Sequence, residues 1–207
     1  MRHVSSHCSA SPCLALSGNF MLRCRNVPVA LVQIDAGAGQ VFGVDRNNNI
    51  YTQYGESWVQ VPGRLKQVTV GPAGVWGVNN RGVVFKLVAG HLVFVPGFNF
   101  VPTYLKQIDA GGAEFVAGGV SPNACAGDNW QHIPGYLSMI EVGTDGSVFG
   151  VTSRGNILHR DGISKDLPEG IRWRHVPLYS GQVKQVSYDL GHLWIILKND
   201  LIYDCIV

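Results

Sequence analysis

An all-β chain, folded as a β-propeller of about five four-stranded blades, is the architecture that three observations predict. The segment Gln33-Ile34-Asp35-Ala36-Gly37-Ala38-Gly39-Gln40-Val41-Phe42-Gly43-Val44 returns in altered form along the chain, which marks a repeat architecture. Glycine is abundant, at 26 residues, while charged residues make up only 14%. That balance suits short strands and tight turns. Finally, four strand-like pieces recur in fixed order within each unit, and four antiparallel strands per repeat describe a propeller blade.

The first piece alternates and ends in glycine: Leu31 to Gly37, Leu65 to Gly71, Leu105 to Gly111, Leu137 to Gly143, and Val183 to Gly191. The second is an aromatic-Gly-Val strand, at Phe42-Gly43-Val44, Trp76-Gly77-Val78 and Phe149-Gly150-Val151, with Trp194-Ile195-Ile196 in the last unit. A polar turn follows, rich in Asn and Gly, which adopt positive φ at little cost. Third strands resume at Ile50-Tyr51, Val84-Phe85, Ile157-Leu158 and Ile202-Tyr203. Fourth strands run from Trp58 to Pro62, Leu92 to Pro96, Trp130 to Pro134 and Trp173 to Pro177. Proline is tolerated on an outer edge because one side of that strand makes no ladder bonds.

The last unit stops after three strands. Its fourth has a candidate in Met21-Leu22-Arg23-Cys24-Arg25-Asn26-Val27-Pro28, which carries the same Val-Pro ending. The N-terminal strand is therefore expected to enter the last blade and close the ring. Cys24 would then lie beside the strand carrying Cys205, and a disulfide between them would latch the ring; two reduced, buried thiols are the alternative. The third unit is degenerate. Phe115-Val116-Ala117-Gly118-Gly119 replaces the aromatic-Gly-Val strand, and Pro122 argues against a central strand around Ser121 to Cys125.

Composition excludes several classes. A net charge of +2 gives no broad basic field, so no nucleic-acid partner is expected. No apolar run reaches the roughly 18 residues of a membrane span. Residues 1–20 resemble nothing downstream and read as a signal remnant or a disordered tail. The five cysteines form no C-x-x-C pair, and the seven histidines show no metal-ligand spacing. No cofactor or metal is expected. No nucleophile elbow, zinc-protease motif or phosphate loop occurs, and the chain is not expected to be an enzyme.

Residues 21–207 resemble the tectonin β-propeller lectins, most closely the fish-egg lectins. The resemblance rests on Leu65-Lys66-Gln67-Val68-Thr69-Val70-Gly71-Pro72-Ala73-Gly74-Val75-Trp76-Gly77-Val78-Asn79, on Gly119-Val120-Ser121-Pro122-Asn123-Ala124-Cys125, on Ile133-Pro134-Gly135-Tyr136-Leu137-Ser138-Met139-Ile140-Glu141-Val142, and on Asp145-Gly146-Ser147-Val148-Phe149-Gly150-Val151. It implies a secreted, extracellular lectin of innate immunity. Its partners would be microbial or egg-surface glycans of galactose or N-acetylglucosamine type, and bacterial lipopolysaccharide. The same ring could assemble as a homo-oligomer. Fish-egg lectins resemble six-bladed rings, whereas five units are counted here, as if one blade were missing between Val116 and Val120.

Sugar recognition needs paired polar groups for ring hydroxyls and an aromatic face to stack on. The turns supply the first as Asp45, Arg46, Asn47, Asn79, Asn80, Arg81, Arg154 and Asn156. Asn and Gly also belong in such turns with no ligand, so a turn-only role stands beside the sugar-binding one. Trp58, Trp130 and Trp173 recur in register on the outer strand, where packing against the next blade competes with stacking on a sugar. Asp35, Asp109 and Glu141 each stand two residues before a glycine. A hydrogen bond to a neighbouring turn is the plain expectation for them. A protein-docking propeller with no sugar affinity is the competing function.

Overall fold

The computed structural model describes residues 22–94, 107–109, 117–119, 133–164, 166–178 and 181–207. Among them there is no helix, and the strands gather into blades of a β-propeller. The first complete blade holds β2 (Gln33–Gly37), β3 (Gln40–Val44), β4 (Asn49–Tyr54) and β5 (Ser57–Arg64). The second holds β6 (Gln67–Gly71), β7 (Gly74–Val78), β8 (Val84–Val88) and β9 (His91–Phe94). A two-stranded sheet follows, from β10 (Gln107–Asp109) and β11 (Ala117–Gly119). The next blade holds β12 (Met139–Val142), β13 (Val148–Val151), β14 (Ile157–Asp161) and β15 (Arg172–Val176). The last runs β16 (Val183–Asp189), β17 (His192–Leu197), β18 (Ile202–Ile206) and, outermost, β1 (Arg23–Asn26).

The described residues thus form four four-stranded blades, not five. The degenerate unit contributes a two-stranded sheet, in which Gln107 faces Gly119 and Asp109 faces Ala117. Gly118 and Gly119 of its second strand add little packing surface. The segment from Ser121 to Cys125 and Trp130 lie outside the described residues, as do residues 1–20.

The N-terminal strand closes the last blade in the expected register. Cys24 faces Cys205 directly, and Arg23 faces Ile206. The two cysteines are joined in a disulfide spanning 181 positions of sequence. Cys205 is fully buried, while Cys24 lies on the exposed outer strand.

Strand alternation explains how blades stack. Along β17, Leu193, Ile195 and Leu197 turn toward the preceding blade and pack with Phe149, Val151 and Ile157. Trp194 and Ile196 turn the other way, onto Leu31, Ile34 and Ala36 of the first blade. Successive residues point to opposite faces, so a sheet sandwiched on both sides reads as a continuous apolar run. A third core joins Phe42, Val44 and Ile50 to Leu65, Val68 and Val70. Trp58 belongs to the core between the last and first blades and meets the Trp194 ring edge-on, with centroids 6.2 Å apart. Trp173 lies under the Arg160 guanidinium, 5.3 Å from its ring centroid. Packing accounts for both outer-strand tryptophans.

The glycine of the aromatic-Gly-Val strand has a packing reason. A Cβ on Gly43 would sit 2.6 Å from Leu31 Cδ1 and 2.8 Å from the Gln33 carbonyl oxygen. In three blades the leading Leu, Leu31, Leu65 or Leu137, occupies the space that Gly43, Gly77 or Gly150 leaves. We expect Gly43→Ala to cost about 1–2 kcal/mol in a urea melt, because the backbone oxygen cannot yield. A midpoint within error of the parent would refute this account.

The recurring acidic residues act between blades, not on turns. An inner strand has one ladder partner, so its axis-facing backbone groups need others. Asp35 accepts the Val70 N–H at 2.5 Å, and Gln33 exchanges two hydrogen bonds with Val68. One unit earlier, Gln185 donates to the Ile34 carbonyl and Ser187 Oγ accepts the Ala36 N–H. Before that, Glu141 accepts the Ser187 hydroxyl at 2.8 Å and the Tyr188 N–H at 3.2 Å. Side chains of β12, β16 and β2 therefore bond the free backbone edge of the inner strand that follows. The expectation of a bond to a neighbouring turn is corrected for Asp35 and Glu141; the side chain of Asp109 lies outside what the structure describes.

Candidate functional site

The turn between the second and third strands has one geometry in four blades. Its first residue takes the backbone N–H of the fourth: Asn48 to Asp45, Gly82 to Asn79, Gly155 to Thr152, and Asp200 to Leu197. The fourth place is left-handed, with φ of 64° at Asn48, 75° at Gly82, 83° at Gly155 and 64° at Asp200. Asn, Gly and Asp are the residues that reach that region most cheaply, which is why the turns read as they do.

This geometry sorts the eight sequence candidates. Asp45 and Asn79 hold first places, and their side chains are spent inside the turn. Asp45 Oδ1 accepts the N–H groups of Asn47 and Asn49, and Oδ2 accepts the Asn49 amide, each at 2.8 Å. Asn79 Oδ1 accepts the N–H groups of Arg81 and Val83. Arg46, in a second place, is ion-paired with Asp200 of the preceding blade, which also accepts from Lys184 at 3.2 Å. Asn47 donates to Asp45 through its N–H and accepts Arg64 through its carbonyl at 3.3 Å. Arg154 and Asn156 are exposed on a different blade. Asn80 and Arg81, in second and third places, are exposed beside Asn79.

Those last three come together at a seam between blades. A cleft of about 280 Å³ is lined by Asn48, Arg64, Leu65, Lys66, Asn79, Asn80 and Arg81. The first blade's turn provides Asn48 and the second blade's turn provides Asn79 to Arg81. The connection between β5 and β6 forms the floor, tied down by the Leu65 N–H donating to the Asn48 carbonyl at 3.0 Å. Leu65 is buried, so its flanks Arg64 and Lys66 point to solvent. Sequence reasoning missed Asn48, Arg64 and Lys66. Alternation about a buried Leu was the signal that could have exposed the two cations. The expected aromatic platform is absent from this lining, where Leu65 is the apolar member.

Electrostatics in the turns predict acid sensitivity. The hydrogen bond from Arg46, aided by Lys184, holds Asp200 below the usual carboxylate range against the opposing effect of burial. At Asp45, burial pushes the carboxyl up, but the bonds from Asn49, Asn47 and Tyr51 outweigh it and leave it lowered. At Asp161, burial is likewise outweighed by His159, Arg174 and Arg172. A carboxylate lowered on folding stabilises the fold above its unfolded value, and that contribution is lost as pH falls through the folded one. Stability from these groups should hold from neutrality to about pH 4 and decline below it. Urea midpoints measured between pH 7 and pH 2 check this, and a flat profile would contradict it.

The chain can now be set beside known proteins. The tectonin domain model matches residues 30–123 and 115–198. Fish-egg lectin of Cyprinus carpio is 34% identical over 187 residues, covering 84% of this chain and 66% of the lectin. Tectonin-1 of Physarum polycephalum is 35% identical over 60 residues, 28% of each chain. The chain therefore spans slightly less than two thirds of the first relative's length and about a quarter of the second's. Virginiamycin B lyase from Staphylococcus aureus, a solved structure, covers 84% of this chain and 65% of its own at 13% identity and a TM-score of 0.37, a likeness too distant to bear on function. On the extent of the domain match, this protein belongs to the tectonin family.

Proposed function

We propose that this chain is a secreted lectin that binds terminal sugars of galactose or N-acetylglucosamine type on microbial or egg-surface glycans, lipopolysaccharide among them, without catalysing a reaction. The observation that carries the reading is the seam cleft, where two asparagine-rich turns converge in a chain of this family. Asn80 offers a carbonyl oxygen and an amide from one planar group, a match for adjacent ring hydroxyls. The cleft is at the small end of ligand pockets and suits one sugar residue. A single shallow site binds weakly, so useful affinity for a repetitive surface would come from several copies acting together.

A glycan array probed with the purified protein tests this. Signal on galactose-, N-acetylglucosamine- or lipopolysaccharide-bearing spots is expected, reduced about tenfold by Asn80→Ala, the loss of one or two well-placed hydrogen bonds. Silence across the array would reject the lectin reading in favour of a protein-docking ring.

A further inference from the structure

We propose, resting on the lectin reading, that the cleft between the first and second blades selects a sugar carrying an anionic group, phosphate or carboxylate, and that the two other described seams do not. Three cations, Arg64, Lys66 and Arg81, line this one concavity, and no carboxylate joins them. All three are exposed. Arg64 donates to the Asn47 carbonyl at 3.3 Å, which steadies the guanidinium and leaves its charge unmatched. Among the described residues none of the three makes an ion pair, although such pairs form elsewhere on the surface. Guanidinium forks and an ammonium converging on a small pocket suit a phosphate or carboxylate, and the neighbouring asparagines suit the hydroxyls of the sugar that bears it.

The sister seams show what the same architecture looks like when its charges are used internally. Between the last and first blades, Asp200 takes the turn place that Asn48 holds in the first blade, and it ties up both Arg46 and Lys184. The connection there reads Ala30-Leu31-Val32, with no cation. Between the two blades before it, the connecting Val183 N–H donates to the Gly155 carbonyl at 3.1 Å, as Leu65 does to Asn48. There Lys198 donates to Gln182 at 3.0 Å and to the Ser153 carbonyl at 3.3 Å. A carboxylate thus neutralises the cations of one sister seam, two neutral oxygens hold Lys198 at the other, and the third gathers three cations with no carboxylate among them.

Titration calorimetry should compare galactose 6-phosphate and galacturonic acid with galactose, and N-acetylglucosamine 6-phosphate with N-acetylglucosamine, with inorganic phosphate as a separate ligand. At about 50 mM salt the charged sugars should bind at least tenfold more tightly than their neutral partners, and the gap should narrow at about 500 mM. The phosphate and carboxylate arms tell which anion the site prefers, and a preference through either supports the proposal. Lys66→Gln combined with Arg81→Gln should weaken the charged sugar about tenfold or more, and should weaken it several-fold more than it weakens the neutral sugar. Lys198→Gln should alter neither. Charged and neutral sugars binding within twofold, or an unaffected double variant, would overturn the anionic preference while leaving a neutral-sugar lectin standing. Inorganic phosphate binding as well as the phosphosugar would overturn the sugar component. Binding of no sugar, charged or neutral, would remove both this proposal and the lectin reading beneath it.

Discussion

Reducing the Cys24–Cys205 bridge, or replacing Cys24 by Ala, is expected to lower stability by roughly 3–5 kcal/mol, the largest single effect in the molecule. The bond joins strands separated by 181 positions, so without it the unfolded chain regains almost the whole freedom of the ring. In the chain-entropy view the gain grows with the logarithm of the closed loop and reaches the top of the usual range here. The native cost is small because ladder pairing already sets the two residues face to face. For a chain of this size the loss corresponds to a fall in melting temperature of about 10 °C or more. Calorimetry with and without reductant, and urea melts of Cys24→Ala, measure it. A melting point that ignores reductant would mean that strand pairing alone holds the ring and the bridge adds nothing.

Glu141→Ala should be the next most damaging change, at about 3 kcal/mol. The residue is 2% exposed. Its carboxylate accepts the Ser187 hydroxyl and the Tyr188 N–H, and Ser187 Oγ in turn accepts the Ala36 N–H. One side chain thus begins a relay through three successive blades. Truncation strands a buried hydroxyl and a buried N–H and opens a void, each costing about 1–3 kcal/mol. Glu141→Gln keeps an acceptor oxygen in place and should lose about 1 kcal/mol. Equal losses from the two variants in urea melts would show that the effect is packing, not hydrogen bonding.

Much of the blade architecture was legible because its causes are local. The aromatic-Gly-Val strand announces itself through Gly43, which leaves room for a Leu one strand away. Asn48 and Gly82 announce the turn through a backbone conformation few residues adopt. The Val-Pro ending at residues 27 and 28 even placed Cys24 opposite Cys205. Blade number was less legible, because a degenerate unit still repeats its opening, Gln107-Ile108-Asp109, and so counts as a unit on paper. The inter-blade role of Asp35 was hidden for a different reason. Its recurrence is visible, but its partner, the Val70 N–H, belongs to the neighbouring blade. The site failed to read for the same cause. Arg46 and Arg81 look alike in sequence; what separates them is Asp200, which stands 154 positions from Arg46 and neutralises it.

The outer position of β1 also bears on how the protein is made. This strand leaves the ribosome before any other described here, yet its partner β18 is the last to follow. Throughout synthesis it must wait with both hydrogen-bonding edges open, a state that invites pairing with a stranger. Its four residues are Arg23, Cys24, Arg25 and Asn26, and two arginines in so short a stretch discourage such company until the proper neighbour arrives.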